Sequence, residues 1–329
     1  MSAQENPPLS PYLQRLAALQ KLGLLPHQGG ELPSKTSEFA PKIVFMDTPQ
    51  GVAEVGDALA MGWPVITDYG ATYGTTFPPH IREAVALARG EVEPLPTVSI
   101  VTFRDVAYGW MDTSRIHPDI VKSLNAGKFD ILNGIAFMRY SCNDVCQKTL
   151  GRHYVNAKQE VQVFIVEDVD PLMSYLRREH RLAYIAVRSS NVTGQQEEAF
   201  PGGALKYAAS IGSPILAVRT VASLTVQQED EQNVRENLYD KLKRKRYGSQ
   251  PIVTLSSVDE PPAITLTRAG NTDPATLQRL MADIIADGIG FVYIPEKVTN
   301  FTRPMYAAGD DVRTPQDIRQ SLLRHSGLI

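Results

Sequence analysis

The sequence predicts an α/β fold, a sheet of short strands interleaved with capped helices, on three observations. Short apolar runs recur along the chain, at residues 43–46, 98–101, 161–166 and 183–187, each bounded by polar or turn-forming residues. Between them lie helical patterns with start and stop signals, such as Asp170 ahead of Pro171 and Gly62 after Met61. Finally, the run 183–187 empties into Arg188-Ser189-Ser190-Asn191-Val192-Thr193-Gly194. Two hydroxyls, an amide and a threonine then crowd the carboxyl end of a strand, where α/β sheets place ligands. The same residue types also make ordinary polar turns.

Composition narrows the class. The chain has 329 residues, 43% hydrophobic and 21% charged, which describes a folded globular protein. A net charge of −3 gives no global attraction for nucleic acid, so any such role needs a local patch. No apolar run is long enough to cross a bilayer. The first residues carry Glu5 and two prolines in place of a basic, then apolar leader, so a cytoplasmic protein is expected. Two cysteines, Cys142 and Cys146, exclude a disulfide framework and fit a reducing compartment. Their spacing could put both on one helical face, as buried thiols rather than a zinc site.

In chain order, residues 1–42 read as a peripheral helix (11–22, with Ser10 as cap) and a Gly/Pro-rich linker. The core begins with the strand 43–46 and a helix over 52–61. Residues 63–74 (WPVITDYGATYG) run from apolar into Thr67, Asp68 and Tyr69, then Thr72, Tyr73 and Gly74, a strand and tight turn. A helix is predicted over 81–90, a strand over 98–101, a helix after Pro118, and an apolar core segment over 129–140. The strand 161–166 and a helix over 170–178 lead into the strand that ends at Arg188. Beyond it come an apolar segment over 215–221 and a helix over 226–246, acidic at its start and basic at its end. That order complements a helix dipole. Two closing strands follow over 251–255 and 263–270, then a helix from Asp273-Pro274 to about Ile285. The remainder, 286–329, reads as a C-terminal extension with a strand over 291–294 and a last helix from Thr314 through Leu323.

Several of these stretches resemble one family. Ser189-Ser190-Asn191-Val192-Thr193-Gly194 is similar to the S-A-N-x-S-G element of the YrdC/Sua5 family, the threonylcarbamoyl-adenylate synthases of tRNA modification and their relatives. Thr67-Asp68 and Thr72-Tyr73-Gly74 resemble the two ends of its T-D-T-x-Y-G turn, with two extra residues between them and Ile66 in place of a proline. Arg268-Ala269-Gly270 resembles its R-x-G after the last strand. Ala88-Arg89-Gly90-Glu91 stands where the family has a K-x-R pair, so only Arg89 survives. Thr254 replaces the acid of the S-T-x-x-D-L element. The resemblance covers about residues 43–285.

It implies a YrdC-like α/β domain, a twisted mixed sheet flanked by helices, with N- and C-terminal extensions. It implies a nucleotidyltransferase that takes ATP with Mg2+, bicarbonate and threonine or another amino acid, and releases pyrophosphate. Carried over residue by residue, it puts Thr67, Thr72 and Tyr73 on the amino-acid side of the cleft and Arg89 on an anionic group, with Arg89 and Thr67 as the catalytic pair. Ser189, Asn191, Thr193 and Arg268 would hold the nucleotide. The basic stretch 241–246, with Lys241, Lys243, Arg244, Lys245 and Arg246, is either a solvated helix end or a contact for tRNA or another double-stranded RNA. Three functions stay open: an active carbamoyl-adenylate synthase, a nucleotide- or RNA-binding relative without turnover, and a plain interaction module.

Overall fold

The protein was analysed as a computed structural model, which describes residues 41–70, 72–82, 85, 98–151, 154–190, 200–235, 249–294 and 320. One mixed sheet organises them. Its strands are β1 (Lys42–Phe45), β2 (Val65–Asp68), β3 (Tyr73–Phe77), β4 (Ser99–Phe103), β5 (Phe137–Ser141), β6 (Glu160–Val166), β7 (Tyr184–Ser189), β8 (Ile215–Val218), β9 (Ile252–Leu255), β10 (Ala263–Arg268) and β11 (Gly290–Tyr293). They lie in the order β1-β8-β2-β3-β7-β4-β6-β5-β9-β10-β11. β1, β8 and β2 run parallel, as do β4 and β6, whereas β3 and β7 join these blocks through antiparallel pairings.

Alternation decides which face each side chain takes. Val65, Val101, Phe103, Phe164, Val166, Ile185 and Val187 point to one face, where two helices cover part of them. The first, α1 (Pro49–Ala60), starts because the Thr48 side chain accepts the Gly51 N–H at 3.0 Å and Pro49 needs no donor there. It ends at Met61, with Gly62 at φ 89°. The second, α2 (Pro171–His180), is capped by Asp170, whose carboxylate accepts the Met173 N–H at 2.8 Å. The two helices meet where Tyr175 lies against Gly56; a Cβ there would stand 2.5 Å from the ring. Val55, Leu59, Met173 and Leu176 fill the space between them and the sheet. Fully burying one such side chain contributes roughly 1.5–3 kcal/mol. A larger core covers the opposite face of β4, β5, β6, β9 and β10 with Ile100, Met138, Val163, Val253 and Ile264.

Most predicted elements are present, with four corrections. Only Thr72 ends the turn: Tyr73-Gly74 starts β3, which pairs back on β2 with Thr67 opposite Gly74. A helix over Pro201–Ile211, which the sequence reading passed over, packs Ala204, Tyr207 and Ala208 on the sheet; its small residues and two glycines hide the apolar stripe. The helix expected from 226 begins at Val221. Cys142 precedes the helix Asp144–Leu150 that holds Cys146, so the thiols share a buried site but not a helical face. The sheet also continues past β10, since β11 pairs with it in parallel. The predicted helices over 11–22 and 314–323, and most of the one over 81–90, lie outside the described residues.

Candidate functional site

The partly covered sheet face carries two adjoining hollows. The first, of about 230 Å³, gathers residues from distant parts of the chain: Thr72, Tyr73, Ser189 and Arg268. Strand register explains the first three. β3 and β7 pair with Gly74 opposite Ser189, and the Ser190 N–H donates to the Tyr73 carbonyl at 3.1 Å. Arg268 arrives by a different route. Leu266 points into the opposite core, and a register shift between Leu266 and Arg268 re-aims the chain. The Arg268 Nε–H then donates to the Gln250 carbonyl at 3.1 Å, while the Gln250 amide donates to the Tyr69 carbonyl at 3.0 Å. These two bonds tie the end of β10 to the β2–β3 turn. Arg268 is the cation this hollow receives, since Arg188 alternates with Val187 and Ser189 and faces the other side of the sheet with Thr75; no carboxylate stands among the described lining residues. A guanidinium with hydroxyls beside it favours an anion, because it can grip a carboxylate or phosphate through its N–H groups.

The second hollow, of about 300 Å³, shares Tyr69 and Phe164 with the first. It lies at the N-terminal ends of α1 and α2 and is bounded by Thr67 and Asp68 at the end of β2. Its charge is reversed: Asp47, Asp68, Glu167 and Asp170 line it, with Arg219 as the one cation among the described lining residues. Asp68 is the best-held of these groups. It accepts the Gly70 N–H at 2.6 Å and the Gln227 amide at 3.1 Å, and pairs with Arg219 at 3.5 Å. The Tyr73 hydroxyl donates to the other end of the Gln227 amide and its ring packs with Ile66 and Ala204 in the core of the opposite face, so Tyr73 meets the first hollow through its backbone. Burial, aided by the nearby Asp68 charge, raises the Tyr73 phenol far above the ordinary range. Burial also pushes up the Asp170 carboxyl, against the pull of the Met173 and Leu172 N–H groups.

Tyr69 is the partition between the hollows. Its hydroxyl bonds Thr76 Oγ1 at 2.9 Å, and burial raises its phenol well above the ordinary value. Its ring lies over Gly74: a Cβ there would fall 2.7 Å from Tyr69 Cε2 and 2.9 Å from Val187 Cγ2. This close approach, rather than an unusual φ, is what requires glycine.

The structure therefore brings together Thr72, Tyr73, Ser189 and Arg268, and places Thr67 in the neighbouring hollow. Arg89, Asn191, Thr193 and the basic stretch 241–246 lie outside the described residues. Sequence reasoning missed Arg188, Gln250, Arg219 and Asn133. Arg219 had a usable signal, because it follows the apolar run of β8 as Ser189 ends that of β7. Among the described residues no three His, Cys, Asp or Glu side chains gather as a metal site, and no helix is long and apolar enough to cross a membrane.

A mixed, twisted sheet with two adjoining hollows on one face defines the chain as an α/β protein of one large sheet. No family model and no curated protein matches the chain. Solved structures do. A double variant of Sua5 from P. abyssi is 13% identical over 81% of this chain and 67% of that one, with a TM-score of 0.52. Sua5 from P. abyssi complexed with L-threonine is 12% identical over 80% and 67%, with a TM-score of 0.50. A hypothetical protein from Streptococcus mutans UA159 is 9% identical over 78% and 99%, also at 0.50. The fold is thus that of the YrdC/Sua5 proteins, at a low level of sequence identity.

Proposed function

We propose that this chain binds a nucleotide with its phosphates in the cationic hollow, and that it forms a carbamoyl-adenylate of the kind made by threonylcarbamoyl-adenylate synthases. The observation that carries this is the convergence of Thr72, Tyr73, Ser189 and Arg268 on one hollow with a guanidinium and, among its described lining residues, no carboxylate. The threonine complex of Sua5, a protein of the same fold, supports an amino-acid co-substrate. In this reading ATP brings Mg2+ with it, which neutralises phosphate charge. Arg268 holds the phosphates, and Ser189 and Thr72 supply hydroxyls to the bound groups. Asn191, Thr193 and Arg89 complete the set from the adjoining segments, and Thr67 works from the second hollow. Orientation and charge stabilisation carry such phosphoryl chemistry without a covalent nucleophile. The basic stretch 241–246 would contact tRNA, with affinity that falls steeply as salt rises.

Pyrophosphate release from ATP tests this. It is expected to require bicarbonate and one amino acid, and to fall at least tenfold in Arg268→Ala. No dependence on bicarbonate or on any amino acid would remove the synthase reading. One observation favours a second reading, nucleotide or RNA binding without turnover: Ala88-Arg89-Gly90-Glu91 supplies a single cation where the family has two. That reading predicts that ATP or RNA raises the melting temperature with no pyrophosphate released.

A further inference from the structure

The second hollow carries features that nucleotide binding leaves unused. Thr67 is 4% exposed and Asn133 8% exposed, and both line this hollow. Thr67 Oγ1 and Asn133 Oδ1 have no hydrogen-bond partner among the described residues. A buried polar atom left this way costs roughly 1–3 kcal/mol, so two in one hollow call for a donor from outside the protein. The rest of the wall is largely apolar, with Val101, Phe164, Val166 and Ile185 on the sheet side. Exposed Asp47 and Glu167 belong to the same lining, beside half-buried Asp170. Two cations of the hollow that shares Asn133 and Glu167 are engaged elsewhere: Arg104 pairs with Asp130 at 2.9 Å and Lys128 with Asp287 at 2.5 Å.

We infer that the second hollow is a binding site for a primary ammonium compound with an apolar body and no carboxylate. The N–H groups of such a ligand satisfy Thr67 Oγ1 and Asn133 Oδ1. The carboxylates around them offset the cost of taking its charge out of water, which an unpaired ammonium could not bear. The body replaces water against Val101, Phe164 and Ile185. An α-amino acid fits poorly, because its own carboxylate would enter a wall that already holds four. A volume at the small end of the ~300–1,000 Å³ range suits a ligand the size of phenethylamine.

The test uses the full chain without nucleotide, so its outcome is separate from the pyrophosphate assay. Phenethylamine, 2-phenylethanol and phenylalanine are compared by calorimetric titration and thermal melting. Phenethylamine should bind and raise the melting temperature with concentration, at least tenfold more tightly than the other two. Thr67→Val keeps the shape and removes the unpartnered hydroxyl. It should raise the melting temperature of the free protein, by about 2–4 °C for each kcal/mol relieved, while weakening phenethylamine about tenfold. Asn133→Leu should weaken it likewise, and if that variant does not fold, Thr67→Val alone decides. No binding of phenethylamine, equal binding of the alcohol, or unchanged amine affinity in Thr67→Val would each overturn the assignment.

Discussion

The two hollows share a sheet face and two wall residues, yet they differ in how their charges are held. In the first, the Arg268 Nε–H donates to the Gln250 carbonyl, and no carboxylate stands among the described lining residues. In the second, Asp68 is surrounded by a backbone N–H, an amide and a guanidinium, and its side chain is 1% exposed. The difference teaches which charge serves the fold and which is available to a ligand. A charge enclosed by opposite charge and donors inside the protein holds structure, whereas a cation lining a cavity whose described walls carry no carboxylate can meet an anion.

The sharpest way to break this contrast is to treat Asp68 as dispensable. Asp68→Ala strands Arg219, the Gln227 amide and the Gly70 N–H, and should cost about 3–5 kcal/mol in chemical denaturation. A loss under 1 kcal/mol would show that this carboxylate is not structural. Arg268→Ala should act in the opposite sense, weakening nucleotide binding about 10–100-fold while changing folding free energy far less than Asp68→Ala does. Equal effects on stability would erase the distinction between the two hollows.

A subtler probe is Asp170→Asn. Asparagine caps a helix as well as aspartate does, so the Met173 N–H keeps its acceptor. Burial raises the folded carboxyl above its unfolded value, so its contribution is fully present below the unfolded pKa and is lost as pH rises through the folded one. The variant should remove that loss, melting higher than the parent at neutral pH but not at pH 3. The same melting temperature at both pH values would contradict the burial effect. The smallest expected change is Ser189→Ala, a two- to tenfold loss of nucleotide affinity with folding intact, since one neutral hydrogen bond is worth about 0.5–1.5 kcal/mol.

Strands and caps were legible in the sequence because their causes are local. The apolar run before Arg188, the Asp170-Pro171 start and the Gly62 stop each act within a few residues. The association of Thr72 with Ser189 was legible only through the family resemblance, because the β3–β7 register that produces it spans more than a hundred residues. The charge reversal between the hollows was not legible at all. It depends on Asp47, Asp68, Glu167 and Asp170 arriving from three separate stretches and on Arg219 from a fourth, which no local pattern records. The helix over Pro201–Ile211 was lost for another reason, since two alanines on its buried side and two glycines in its first turn give a weak apolar signal.

The aromatic ring of Tyr69 resting on the bare backbone of Gly74 has a consequence for descent. A methyl group at 74 cannot enter while the tyrosine stays, and a smaller residue at 69 would free the room for one while opening the passage between anionic and cationic guests. Among descendants of a common ancestor, positions 69 and 74 should therefore drift as a pair, and lineages in which both have changed should have traded two selective compartments for one.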